Sequence, residues 1–153
     1  MLIVLRPPEA AGPLFIGAAG EEAVGILREL GQPLLLCGMR GSEPGWGVER
    51  PSGLFISLRF DAGRVDAVEL CRPSNGGDVV TYDGLDVFTT PAADLVTRLR
   101  ADTTVVEEER EDQRRFTAPD LLLTFWQFTT EIPDGYDRSH LHGVLVGRVR
   151  DYR

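Results

Sequence analysis

Gly20-Glu21-Glu22-Ala23-Val24-Gly25-Ile26-Leu27-Arg28-Glu29-Leu30-Gly31-Gln32-Pro33 is the stretch that decides the fold, because its pattern returns in the second half of the chain. Ala23, Ile26, Leu27 and Leu30 recur at i, i+3, i+4 and i+7, the apolar stripe of an amphipathic helix. Ala92, Leu95, Val96 and Leu99 repeat that spacing, with 92 − 23 = 69 for every pair. Acids open the first helix at Glu21 and Glu22, whereas Thr90-Pro91 offers an N-cap and a first-turn proline to the second. Gly31, with Pro33 just beyond, is a stop signal.

Working outward, Pro51-Ser52-Gly53-Leu54-Phe55-Ile56 matches Ala118-Pro119-Asp120-Leu121-Leu122-Leu123 at an offset of 121 − 54 = 67. Both lead from a proline-containing turn into an apolar strand. An ordered series of helix, turn and strand matches predicts a duplicated unit, and repeats decide architecture before motifs do. Residues 1–73 and 79–153 form the two units, and the turn-forming Pro73-Ser74-Asn75-Gly76-Gly77-Asp78 marks the connector at 74–78. Units of this size are marginal alone, so they share one compact domain.

The strand pattern is largely antiparallel. Strands are expected at 34–39, 54–60, 64–71, 79–82, 85–88, 103–108, 114–117, 121–128 and 141–150. Asp61-Ala62-Gly63 reads as a three-residue hairpin turn and Asp83-Gly84 as a compact one. Val65 and Val68 fall on opposite faces of a regular strand, which points to a bulge. The expected fold is α+β: two helix-plus-meander units forming one continuous twisted antiparallel sheet, with both helices packed on one face.

Composition bounds function. All sixteen basic residues are arginine, so mechanisms that need a lysine, such as a P-loop or a Schiff base, are excluded. A formal charge of −8 opposes binding to nucleic acid and suits a basic partner. No run approaches the roughly 18 apolar residues of a membrane helix, and 1–5 is an apolar strand without a basic leader, so a cytoplasmic protein is expected. Cys37 and Cys71 read as small hydrophobes in strands, with a disulfide between them the alternative.

Four constellations carry candidate chemistry. His140-Leu141-His142 has a spacing that places two imidazoles together, with Asp137 and Glu131 to complete a metal shell; surface decoration is the plainer reading. Glu107, Glu108 and Glu109 belong to a charged run that either meets a basic partner or forms a solvated, internally paired hairpin tip. Trp46 lies in a glycine-rich stretch, 41–50, read as a loop that offers an interface anchor or folds back over the sheet. Glu131, Tyr136 and Asp137 sit in an acidic insertion at 129–139 that replaces the short turn of the first half. No nucleophile elbow, zinc-protease helix or dinucleotide fingerprint occurs.

The stretch 20–33, followed by Leu54-Phe55-Ile56-Ser57-Leu58-Arg59-Phe60-Asp61-Ala62-Gly63-Arg64-Val65-Asp66-Ala67-Val68-Glu69-Leu70, resembles the unit of the β-lactamase-inhibitor-protein and outer-membrane-assembly-lipoprotein type. It is similar as well to small actinobacterial proteins with two such units, some of them immunity-like. The chain departs in lacking a signal peptide and the paired cysteines of the secreted inhibitors. What the resemblance implies is a binding module.

The sequence thus favours a non-catalytic protein-binding module, an immunity or inhibitor protein that needs no cofactor and occludes a basic protein, a toxin for example. Its site residues are Trp46, Glu107, Glu108, Glu109, Glu131, Tyr136 and Asp137. A small-molecule enzyme or ligand-binding domain with a pocket between sheet and helices is the second reading. A structural or regulatory domain, homodimeric through an uncovered sheet face, is the third.

Overall fold

The computed structural model describes residues 1–37, 43–129 and 139–149. Leu2–Arg6 (β1), Ala10–Ala11 (β2) and Leu14–Phe15 (β3) precede the helix Gly20–Leu30 (α1). Leu34–Leu36 (β4), Gly45–Glu49 (β5), Phe55–Asp61 (β6) and Arg64–Cys71 (β7) follow it. The second half runs Val79–Tyr82 (β8), Leu85–Asp86 (β9), Ala92–Asp102 (α2), Val106–Arg110 (β10), Gln113–Ala118 (β11), Leu123–Phe128 (β12) and Gly143–Gly147 (β13). A 3-10 turn at Pro119–Leu121 leads into β12.

The fold is α+β, two helices against mostly antiparallel strands, but the strands form two sheets rather than one. The larger, eight-stranded sheet has the order β10-β11-β12-β13-β7-β6-β5-β4. Two four-stranded meanders meet at its centre, where Val68 pairs with Val146 and Leu70 with Val144. The smaller sheet, β3-β2-β1-β8-β9, is joined by the parallel pair β1 and β8, with Ile3 opposite Val80. A parallel pair between segments so far apart in sequence leaves no local trace, which is why the sequence pointed to a single sheet.

One core serves both layers. Ile3, Leu5 and Val80 of the small sheet, Leu27 of α1, Leu95 and Leu99 of α2, and Ile56, Leu58, Leu70 and Phe125 of the large sheet are all buried in one cluster. Tyr82 meets Phe125 edge to face at 6.0 Å, joining the two sheets directly. Alternation in β1 explains its role: Ile3 and Leu5 point inward, while Leu2, Val4 and Arg6 face solvent.

Local chemistry accounts for the turns. Asp61 pairs with Arg64, so the β6–β7 loop has two residues, not three, and both Ala62 (φ 51°) and Gly63 (φ 74°) are left-handed. Asp83 (φ 50°) and Gly84 (φ 80°) repeat that geometry between β8 and β9. The expected bulge is present: Arg59 pairs with Ala67 and Phe60 with Val65, leaving Asp66 extra, so Val65 and Val68 both turn into the core. Gly31 ends α1, donating its N–H to the Leu27 carbonyl at 3.1 Å. At α2, Pro91 rather than Thr90 takes the N-cap position, and the Asp86 carboxylate accepts the N–H of Phe88 at 3.0 Å and of Thr89 at 3.3 Å.

A row of mutually opposed residues crosses each meander. In the first it runs Leu35, Trp46, Leu58, Val68, and in the second Glu107, Phe116, Phe125, Val144. The differences are 107 − 35 = 72, 116 − 46 = 70, 125 − 58 = 67 and 144 − 68 = 76. Both helices start 92 − 20 = 72 apart, in step with their first strands.

Candidate functional site

The two ends of the large sheet are built from opposite chemistry. At one end Gly31-Gln32-Pro33 closes α1 and delivers Leu34-Leu35-Leu36 to the edge position. Leu34 is 54% exposed and Leu35 60% exposed. They lie on opposite faces of β4, because Leu35 pairs with Trp46 and Leu34 with Gly47. Both faces of this edge are therefore apolar and open to solvent.

The glycine-rich stretch is a strand from Gly45 onward and not a loop; residues 38–42 lie outside the described residues. Its glycines have a packing reason. A Cβ at Gly45 would collide with the Leu58 carbonyl, and one at Gly47 would lie 2.8 Å from the Phe55 ring. Trp46 faces the helix side, half-buried, and lines an open cleft of about 520 Å3 with Glu21, Val24, Arg28, Glu43 and Phe60. The cleft mouth is held by backbone: Gly20 donates to the Gly63 carbonyl at 2.9 Å, and the Gly63 N–H reaches the Glu43 carboxylate at 3.2 Å.

A buried ionic knot fixes this end against the connector. The Asp78 carboxylate, whose side chain is 3% exposed, accepts from Arg50 Nε at 3.0 Å and Ser52 Oγ at 2.5 Å, and the Met1 amine lies 3.3 Å away. Arg50 Nη1 also donates to the Leu30 carbonyl at 2.7 Å, tying the end of β5 to the end of α1. Burial alone would raise the Asp78 carboxyl, but the hydrogen bonds from Arg50, Ser52 and the Met1 amine outweigh it and hold it below its ordinary value.

The opposite edge, β10, is exposed along its whole length and carries charge. Arg114 bonds Glu109 at 2.6 Å and lies 3.3 Å from Glu107; Arg100 reaches Glu107 at 3.5 Å, and Arg110 reaches Glu108 at 3.5 Å. The acidic run thus sits against the chain's own arginines. Charged edge strands resist pairing with a neighbouring chain. A smaller cleft, about 370 Å3, lies here between α2 and the sheet, lined by Val96, Arg100 and Phe116 where the first is lined by Val24, Arg28 and Trp46.

The remaining candidates separate. His140 lies near Ser139 Oγ (3.1 Å) and the Thr89 carbonyl (3.2 Å), whereas His142 stacks on Phe128 with centroids 3.4 Å apart and meets Trp126 edge on. Burial first, and Arg72 second, push the His142 imidazole down to about 4, and among the described residues its ring nitrogens have no hydrogen-bond partner. The described residues contain no cluster of three side chains able to hold a metal. Glu131, Tyr136 and Asp137 lie outside the described residues. Cys37 is exposed rather than buried, Cys71 is half-buried, and both are free thiols. No helix among the described residues is long and apolar enough to cross a membrane.

Of the residues at this end the sequence singled out Trp46 and not Leu34, Leu35 or Leu36. The available signal was an uncharged run, Pro33 to Gly38, set against the acid-rich 107–112 at the corresponding place in the second meander. No protein-family profile, curated protein or solved structure matches the chain.

Proposed function

We propose that this chain is a non-catalytic protein-binding module, an immunity or inhibitor protein, that neutralises a basic protein by docking it on the Leu34–Leu36 edge and the Trp46 cleft. The observation that carries this is the contrast between the two ends of one sheet. One edge is covered with paired charge, and the other presents exposed leucines beside a half-buried tryptophan. Exposed apolar surface rimmed by polar groups is the usual signature of a binding surface, and tryptophan is a frequent anchor within one.

Charge supports a basic partner. From 20 to 50 the sequence has five glutamates, Glu21, Glu22, Glu29, Glu43 and Glu49, against three arginines, Arg28, Arg40 and Arg50. Arg50 is turned inward on Asp78 and Leu30. The excess acid steers a basic protein toward the edge and makes its association sensitive to salt. The duplication belongs to the same reading: two copies of one unit, the first keeping an apolar binding edge while the second became charged. The matched rows across the meanders and the corresponding residues of the two clefts support it.

The test is co-purification from the native lysate with wild type, Leu35→Arg and Leu34→Arg. A basic protein retained by wild type, released by raised salt and absent from both variants supports the module. Equal retention by the variants contradicts it. The 520 Å3 cleft, within the size range of ligand sites, favours a small-molecule site as the second reading. A metabolite that raises the melting temperature of wild type but not of Trp46→Ala supports that alternative.

A further inference from the structure

We infer that the partner docks by strand addition: an extended segment bearing arginine or lysine pairs with β4 and continues the eight-stranded sheet. This rests on the binding-module reading and specifies its mode. Leu34 and Leu35 are both more than half exposed and lie on opposite faces of the strand. A docked helix or flat surface covers one face of an edge, whereas an added strand sends alternate side chains to both. Its backbone also satisfies the outer hydrogen-bonding side of β4, with which no strand pairs among the described residues.

The geometry distinguishes the two faces of the incoming segment. On the helix side a residue opposite Leu35 continues the row Leu35, Trp46, Leu58 and reaches toward the cleft beside Trp46. Basic side chains on this face meet Glu21 and Glu43, which line that cleft with Arg28, and Glu29, exposed near the end of α1, whereas Glu49, two residues beyond Gly47, is exposed on the other face, the side of Leu34. The same acids disfavour a second copy of this chain, whose identical rim would be brought against the first. The β10 edge is closed to strand addition by its Glu107, Glu108 and Glu109.

The probe is the peptide acetyl-Arg-Val-Arg-Val-Arg-Val amide at millimolar concentration, with amide hydrogen exchange read residue by residue on the full chain. Exchange at amides within 34–36 should slow by about tenfold, with no change at 106–110. The effect should vanish for a backbone N-methylated peptide, for the Glu-Val counterpart, and for Leu35→Arg, which removes the apolar contact and repels the basic segment. Leu34→Arg, on the other face, serves as a second variant, and both positions are exposed enough to leave folding intact. Unchanged exchange at 34–36, or equal binding of the N-methylated peptide, overturns strand addition. If a partner is lost on Leu35→Arg while amides 34–36 exchange as freely in its complex with the wild type as in the free protein, strand addition fails and the module reading stands.

Discussion

Leu35 and Glu107 stand at corresponding ends of two matching rows, one opposite Trp46 and the other opposite Phe116, at the two outer edges of a single sheet. One edge exposes leucines and the other paired charge. Expectations follow for each edge and for the elements that hold them.

Neutralising the charged edge should make it adhesive. Glu107→Val, Glu108→Val and Glu109→Val together remove the acids that face Arg100, Arg110 and Arg114. Sedimentation should show concentration-dependent association of the triple variant beyond that of wild type. An unchanged distribution would show that charge does not protect this edge.

Trp46 packs against the core and lines the cleft. Trp46→Ala should lower unfolding free energy by about 2 kcal/mol, less than full burial would cost, because the ring is only half-buried. Chemical denaturation measures this, and the same variant should lose the partner.

Gly143 is needed by a neighbour. A Cβ there would enter the Trp126 ring, which lies across the β12–β13 pair. Gly143→Ala should destabilise by about 1–3 kcal/mol as the indole is displaced, with a change in Trp126 fluorescence. Gly25→Ala is the control: its Cβ meets nothing within 4 Å, and a helical alanine should be neutral or stabilising.

Acid should destabilise the fold in two windows. His142 has a folded value of about 4, below its unfolded value near 6.5, so the unfolded chain binds its proton first. The stability that a neutral His142 contributes is present above about pH 6.5 and is lost as pH falls toward about 4. With allowance for partial solvent contact the loss is about 1–2 kcal/mol. His142→Phe, which keeps the stack on Phe128, should flatten this part of the profile. Asp78 acts lower: its depressed carboxyl stabilises the fold above its unfolded value near about 3.9, and the contribution is lost as pH falls through its folded value. Asp78→Asn should cost about 3 kcal/mol at neutral pH, since it leaves Arg50 without its buried partner. Denaturation across pH separates the two.

Much of the fold was legible because it is local. The two helices, the turn at Ala62-Gly63 and the bulge near Asp66 each have their signal within a few residues. The strand offset of 67 read from Leu54 and Leu121 equals the difference between Leu58 and Phe125, but the other opposed pairs differ by 70, 72 and 76, so no single offset relates the two meanders. β5 was read as loop since glycines depress strand propensity, although here they make room for Phe55 and the Leu58 carbonyl. The exposed leucine edge was hidden for another reason: three leucines look alike in a central and a terminal strand, and only the tertiary order of strands exposes them.

The central claim is that the partner meets Leu35 and not Glu107. A photoreactive phenylalanine analogue placed at position 35 and, separately, at position 107 tests it directly in the native lysate. A basic protein should be cross-linked from position 35 and absent from position 107. Cross-linking from 107 with none from 35 would contradict the account.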